Sequence, residues 1–320
     1  MTTTGELVVG PGWLVDDLLR VERLLRETAG RSDHPLVSEA SLHLLEAGGK
    51  RLRPALVMLA ARSGEPGRRE SDLAAAAVEL VHLATLYHDD VIDGTETRRG
   101  VPTAHAKWGV NVAVLAGDYL FACGCALGAE AGGEVSAILA DAIAEVCEGE
   151  IVETTVLGDP HRRVDDYLSV IEQKTAALFR GSCELGAATS AADGSARRAL
   201  VTYGHNLGLA FQVVDDLLDL TGDPAVTGKT PGTDLKEGVF TAPVLLACER
   251  EPELARKLEG GTRDLGEILP ILRSTGALDD AHGLARDYGA AARRALDDLP
   301  EADWTGVLGT IVQGVLAQAE

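Results

Sequence analysis

Residues 79–100 read ELVHLATLYHDDVIDGTETRRG. Small and apolar residues at helical spacing lead into Asp89, Asp90 and Asp93, and Gly94 marks the place where a helix would end. Residues four apart share a helix face, so Asp89 and Asp93 point the same way and Asp90 is turned aside. Carboxylates at a helix C-terminus meet the negative end of its dipole and call for a cation. Two hard oxygen ligands one turn apart, followed by Arg98 and Arg99, suit Mg²⁺ holding a phosphorylated ligand. Taken alone, the stretch also fits an acidic helix end solvated by water.

The rest of the chain weighs against that bland reading. Asp-Asp doublets begin at Asp16, Asp89, Asp165, Asp215, Asp279 and Asp297, but a third aspartate follows four residues on only after Asp89 and Asp215. In AFQVVDDLLDLTGD, residues 210–223, the residues Asp215, Asp216 and Asp219 again end an apolar helical run just before a glycine, Gly222. Two such ends facing each other would make a carboxylate cluster able to hold more than one divalent ion.

Composition narrows the partners. The 320 residues include 29 basic and 50 acidic side chains, a net charge of −21. That balance argues against nucleic acid or an anionic membrane surface and suits divalent cations. A hydrophobic share of 46% against 25% charged is ordinary for a globular chain with a sizeable core. The five cysteines, at 123, 125, 147, 183 and 248, lie in apolar helical segments without CxxC spacing, and we expect reduced core thiols of a cytoplasmic protein. The start, MTTTGELVVGPGW, lacks a basic leader and a long apolar run. The most apolar window, residues 110–129, is interrupted by Asp118 and rich in glycine, so it reads as a buried helix and not a membrane span.

Nearly every segment has helical periodicity and almost none alternates as a strand does. We expect an all-α fold, a single domain over residues 1–320 built as a large bundle of about a dozen helices around a central space. Helices are expected at 13–28 and 35–46, from Pro54, after Ser71 into the aspartates, and near 110–129, 134–156, 165–182, 195–221, 240–257, 263–274, 278–297 and 301–319. Between the second and third lies GGKRLRP, residues 48–54, three cations on flexible glycines that can wrap a diphosphate. Lys174 in QKT and Lys229 in a Gly-Lys pair after the second aspartates add scattered phosphate-binding groups.

The order GGKRLRP, HDDVID with RRG after it, QKT, FQVVDDLLD, GK and DLKEGVFTAP resembles the trans-isoprenyl diphosphate synthases, also called polyprenyl synthetases, over about residues 35–250. The resemblance implies an all-α isoprenoid synthase bundle that forms a homodimer and adds isopentenyl diphosphate head to tail to an allylic diphosphate. It implies Mg²⁺, three ions, or Mn²⁺, on Asp89, Asp93 and Asp215, with Asp219 acting through water. Arg98, Lys174 and Lys229 would help clamp the allylic diphosphate, with Thr175 in the same motif. Lys50, Arg53, His82 and Arg99 would hold isopentenyl diphosphate. Phe211 and Gln212 would line the position of the allylic cation.

Two features bear on product length. Many short-chain members carry a lysine after the glycine where this chain has Val239, and that loss is familiar in long-chain members. Stepping back by four from Asp93 gives Asp89, Thr85, Val81 and Ala77, with Ala84 beside them. None is large, whereas short-chain members place an aromatic floor at the positions of Thr85 and Ala84. A polyprenyl product longer than geranylgeranyl diphosphate is therefore expected from farnesyl or geranylgeranyl diphosphate. A geranylgeranyl diphosphate synthase, a class I terpene cyclase and a non-catalytic partner subunit of a heteromeric synthase are the alternatives.

Overall fold

The computed structural model describes residues 10–222 and 231–319. Residues 1–9, which include most of the start read above, and Lys229 lie outside this span. The fold is all-α, with one two-residue hairpin among the described residues. The helices gather into two compact units, each assembled from separated stretches of the chain.

The first unit comprises Met1–Ile143, Gly181–Val201 and Glu301–Val307. Helices α1 (Gly12–Ala29), α2 (Pro35–Glu46) and α3 (Leu52–Ala60) lead to α4 (Arg69–Ile92), which carries the first aspartates. Helix α4 begins before Ser71, whose hydroxyl is buried against Thr189 and does not cap it. From Leu73 to Leu80, α4 is buried on every side, which explains its run of alanines: a small side chain lets neighbouring backbones approach. Helix α6 (Val110–Ala131) approaches closely here, where a Cβ at Gly124 would lie 3.0 Å from the Ala77 carbonyl and 3.1 Å from Val81.

After α4 the chain makes a hairpin, β1 (Thr97–Arg98) against β2 (Val101–Pro102), and the short α5 (Ala104–Trp108). Both turn residues, Arg99 and Gly100, have positive φ, as a tight two-residue hairpin demands. Helix α6 is long and apolar enough to cross a membrane, but it is buried along one face only. Ala113, Leu120, Cys123 and Leu127 face the core, while Val110, Val114 and Leu115 are exposed. The expectation of a buried helix is corrected to that extent.

The second unit comprises Ala144–Arg180, Thr202–Pro300 and Leu308–Glu320. It holds the C-terminal part of α7 (Gly133–Thr155), α8 (Val164–Ile171), the start of α9 (Ala177–Thr189) and most of α10 (Gly194–Thr221), which ends in the second aspartates. The helix expected over 165–182 is not one α-helix, because Glu172–Ala176 forms a π-helical turn between α8 and α9. Glycines pack on this turn from two sides: a Cβ at Gly149 would lie 2.7 Å from the Lys174 amide nitrogen, and one at Gly208 would lie 2.6 Å from Ala176. The helix expected over 240–257 is also divided, at Pro252, into α12 (Ala242–Arg250) and α13 (Pro252–Glu259), preceded by a short α11 (Thr233–Glu237). Cys123, Cys183 and Cys248 are buried as expected, but Cys125 and Cys147 are exposed, and all five are free thiols.

Candidate active site

Helix α4 ends as its sequence demands. Asp93 caps it, Gly94 turns left-handed, and the Thr95 amide returns to the Asp90 carbonyl at 3.0 Å. No basic residue stands in the last turn, so the dipole leaves the carboxylates there uncompensated by their own helix. Asp89 is half-buried and Asp93 exposed, whereas Asp90 is 1% exposed and accepts from Arg98 Nε at 2.5 Å. Burial raises the Asp90 pKa and the Arg98 guanidinium opposes that rise.

The cations of GGKRLRP divide into two kinds. Arg51 does not belong to the phosphate-wrapping trio expected above, because its side chain is buried and saturated by the protein. Its Nε donates to Glu22 at 2.9 Å, its Nη1 to Glu79 at 3.2 Å and to the Gly48 carbonyl at 3.3 Å, and its Nη2 to the Leu45 carbonyl at 2.9 Å. One guanidinium thereby ties α1, α4 and the end of α2 to the loop. The loop pays for this in backbone strain, since Arg51 is left-handed at φ 51°. Arg99 donates to the Leu44 carbonyl at 3.1 Å and to the Gly48 carbonyl. Gly49 has no side chain because a Cβ would lie 2.9 Å from Arg51 Nη1 and 3.0 Å from Arg99 Nη1.

Arg53 and His82 are half-buried beside this cluster. Lost hydration pushes the Arg53 pKa down to about 10, and Arg99 adds to the fall. Burial, then Arg53 and Arg99, hold the His82 pKa well below its ordinary value, so His82 offers a neutral imidazole and adds no charge. Buried Glu79 is the counter-charge acting on Arg51, Arg53 and Arg99. Val81 and Ala84 are fully buried on α4, and half-buried Thr85 returns its hydroxyl to the His82 carbonyl at 2.8 Å.

In the second unit the π-helical turn presents Lys174 and Thr175. Lys174 Nζ lies 2.6 Å from Glu153 and 2.8 Å from Glu150, both on α7. Burial opposes its charge, but the two glutamates outweigh burial and raise its pKa. Thr175 donates to Gln212 Oε1 at 2.7 Å, Gln212 Nε2 donates to Asp216 at 2.8 Å, and the Tyr167 hydroxyl donates to the other oxygen of Asp216. Asp216 is 3% exposed, and burial pushes its pKa up to about 7 against those two donors. Half-buried Phe211 stacks at a tilt on Phe179, with ring centroids 5.2 Å apart. Asp215 is half-buried, while Asp219 accepts from the Thr233 and Asp234 amides at 3.1 and 3.3 Å and so caps α11.

Residues 34–267 match the Polyprenyl synthetase family. The chain is 39% identical over 301 residues to a nonaprenyl diphosphate synthase of Mycobacterium tuberculosis, covering 92% of this chain and 90% of that protein. The chain belongs to the polyprenyl synthetase family. The structure of a decaprenyl diphosphate synthase from Rhodobacter capsulatus superposes with a TM-score of 0.91 at 39% identity, over 96% of this chain and 98% of that one. A polyprenyl synthase from Caulobacter crescentus, complexed with calcium and isoprenyl diphosphate, gives 0.89 at 37% identity over 96% of each chain.

As a polyprenyl synthetase the chain has a donor set suited to divalent cations. No three His, Cys, Asp or Glu side chains among the described residues converge to hold an ion alone. Mg²⁺ is ordinarily held by one or two carboxylates with substrate phosphates and water completing its shell, which fits the pairs present. Sequence reasoning missed Glu150, Glu153 and Tyr167. Glu150 and Glu153 stand three apart on one face of α7, a spacing visible in the sequence, but nothing there linked that face to Lys174.

Proposed function

We propose that this polyprenyl synthetase adds isopentenyl diphosphate head to tail to farnesyl or geranylgeranyl diphosphate and makes an all-trans polyprenyl diphosphate longer than geranylgeranyl diphosphate. The observation that carries the reading is that a cation stands beside each aspartate-ended helix in a chain of this family: Arg98 pairs with Asp90, and Lys174, held by Glu150 and Glu153, sits on the turn whose Thr175 reaches Asp216 through Gln212. Asp89, Asp93 and Asp215 are the ligands for Mg²⁺, three ions, and Asp219 acts through water. Bound Mg²⁺ supplies the positive charge that neutralises the leaving diphosphate. Arg98, Lys174 and Lys229 bind the allylic diphosphate, and Thr175 fixes the amide of Gln212. Phe211, braced by Phe179, lines the position of the allylic cation. Lys50, Arg53 and Arg99 bind isopentenyl diphosphate, to which neutral His82 adds a hydrogen bond. The allylic carbon–oxygen bond breaks, the new carbon–carbon bond forms, and the proton lost with the new double bond goes to the departed diphosphate.

Product length is assigned to Ala84, Thr85 and Val81. Val81 packs against α6 at Gly124, and no aromatic ring stands at Ala84 or Thr85 to stop the growing chain there. We read the chain as one catalytic domain, a cytoplasmic homodimer that does not span a membrane. The exposed apolar face of α6 supports a role for that helix in dimerisation, and the free thiols support a reducing compartment. Turnover should require isopentenyl diphosphate, an allylic diphosphate and Mg²⁺ together, and should stop with EDTA. Release of diphosphate from farnesyl diphosphate alone, as a terpene cyclase would give, overturns the reading. Ala84→Phe should shorten the product while leaving the first condensation active; an unchanged product distribution removes α4 as the ruler.

A further inference from the structure

The loop between α7 and α8, residues 156–163, carries a guanidinium with buried donors that are not met. Arg162 Nε and Nη2 are buried and meet no hydrogen-bond partner among the described residues. Glu153, Tyr167, Asp166 and Asp159 all act on Arg162 electrostatically, yet none of them accepts from these two nitrogens. Glu153 is engaged instead by Lys174. A guanidinium cannot discard its proton, so burying its donors without acceptors is unfavourable unless an anion meets them.

Its position indicates which anion. The Arg162 guanidinium lies 5.9 Å from the centre of the Tyr167 ring, and the same Tyr167 holds Asp216, next in sequence to Asp215. The loop is tied to the turn before α12, where the Gly158 amide donates to the Gly238 carbonyl at 2.8 Å. Val239 follows at that turn, where it provides no charge. We propose that Arg162 is a further binding residue for the allylic diphosphate, supplying from the α7–α8 loop the positive charge that Val239 does not. The planar fork of arginine matches two phosphate oxygens, and the Tyr167 face limits its orientation. This assignment rests on the reading of Asp215 and Lys174 as the allylic side of the site.

The test is steady-state kinetics with Mg²⁺, varying farnesyl and isopentenyl diphosphate separately. Arg162→Gln should raise the KM for farnesyl diphosphate by roughly 10-fold to 100-fold, the effect of losing a charged hydrogen bond, and leave the KM for isopentenyl diphosphate within about twofold. Its melting temperature should not fall, since buried donors without acceptors are removed. Adding Val239→Lys to Arg162→Gln should recover most of the lost affinity for farnesyl diphosphate. An unchanged KM for farnesyl diphosphate, or equal rises in both KM values, overturns the proposal and leaves Arg162 as packing over Tyr167. If Arg162→Gln does not fold, Arg162→Lys is read by the same split, with a rise of about threefold to tenfold expected because the fork is lost and the charge kept. Lys174→Ala in the same assay separates the two failures. A raised KM for farnesyl diphosphate in Lys174→Ala, with none in Arg162→Gln, refutes Arg162 alone, whereas no effect in either refutes the allylic assignment as well.

Discussion

The two aspartate clusters share a sequence pattern and both bury their second aspartate, the later cluster burying Asp219 as well, but they compensate that second aspartate differently. Asp90 is held by a cation, Arg98, whereas Asp216 is held by two neutral donors, the Tyr167 hydroxyl and the Gln212 amide. Burial raises the pKa of both carboxyls, against the Arg98 guanidinium at Asp90 and against two neutral donors at Asp216, where Asp215 and Glu153 add to the rise. In both clusters metal binding is assigned to the outer aspartates. The inner ones are buried alike and differ in the partner that holds them, a cation in one cluster and neutral donors in the other.

The largest effects should come from the outer residues, where the two clusters behave alike. Asp89→Ala and Asp215→Ala should each lower turnover by about 10³-fold or more without loss of fold, since removing charge at a helix end relieves repulsion. Near-normal activity of either variant at saturating Mg²⁺ would show that only one cluster serves the metal. The inner residues should differ. Asp90→Asn strands Arg98 and should cost about 2 kcal/mol of stability, against about 1 kcal/mol for Tyr167→Phe, which takes one neutral donor from Asp216. Chemical denaturation compares them, and a Tyr167→Phe loss equal to or above that of Asp90→Asn removes the contrast.

A smaller effect sharpens the contrast by pH. The folded-state pKa of Asp216 is raised to about 7, above the ordinary carboxylate value near 3.9 of an unfolded chain. Between those values the folded protein holds a proton that the unfolded chain has released, so stability falls as pH rises through that window. Asp216→Asn cannot titrate. In EDTA its melting temperature relative to the parent protein should therefore climb from pH 5 to pH 8. A difference that is flat or that falls with pH assigns Asp216 an ordinary, ionised state.

Much of this was legible in residues 79–100 and 210–223. Helical spacing, a glycine stop and an unneutralised helix end are local properties, and the structure reproduces them at Ile92, Asp93 and Gly94. What escaped was long-range. Arg51 looked like its neighbours Lys50 and Arg53, and only Glu22 and Glu79, 29 and 28 residues away, make it a buried tie. The π-helical turn at Glu172–Ala176 leaves no trace in an apolar pattern that continues on either side, although it decides how Lys174 and Thr175 are presented. The strands at Thr97–Arg98 and Val101–Pro102 are too short to alternate. Cys125 and Cys147 have apolar neighbours in sequence but stand on exposed helix faces, a matter of rotation about the axis that composition does not record.

The central claim is that this polyprenyl synthetase extends an allylic primer past geranylgeranyl diphosphate. Incubating the protein with farnesyl diphosphate, excess isopentenyl diphosphate and Mg²⁺, and then weighing the products by mass spectrometry, tests it most directly. A series of masses spaced by one isoprene unit and reaching beyond geranylgeranyl diphosphate is the predicted result. Products that end at geranylgeranyl diphosphate, with isopentenyl diphosphate still in excess, would contradict it.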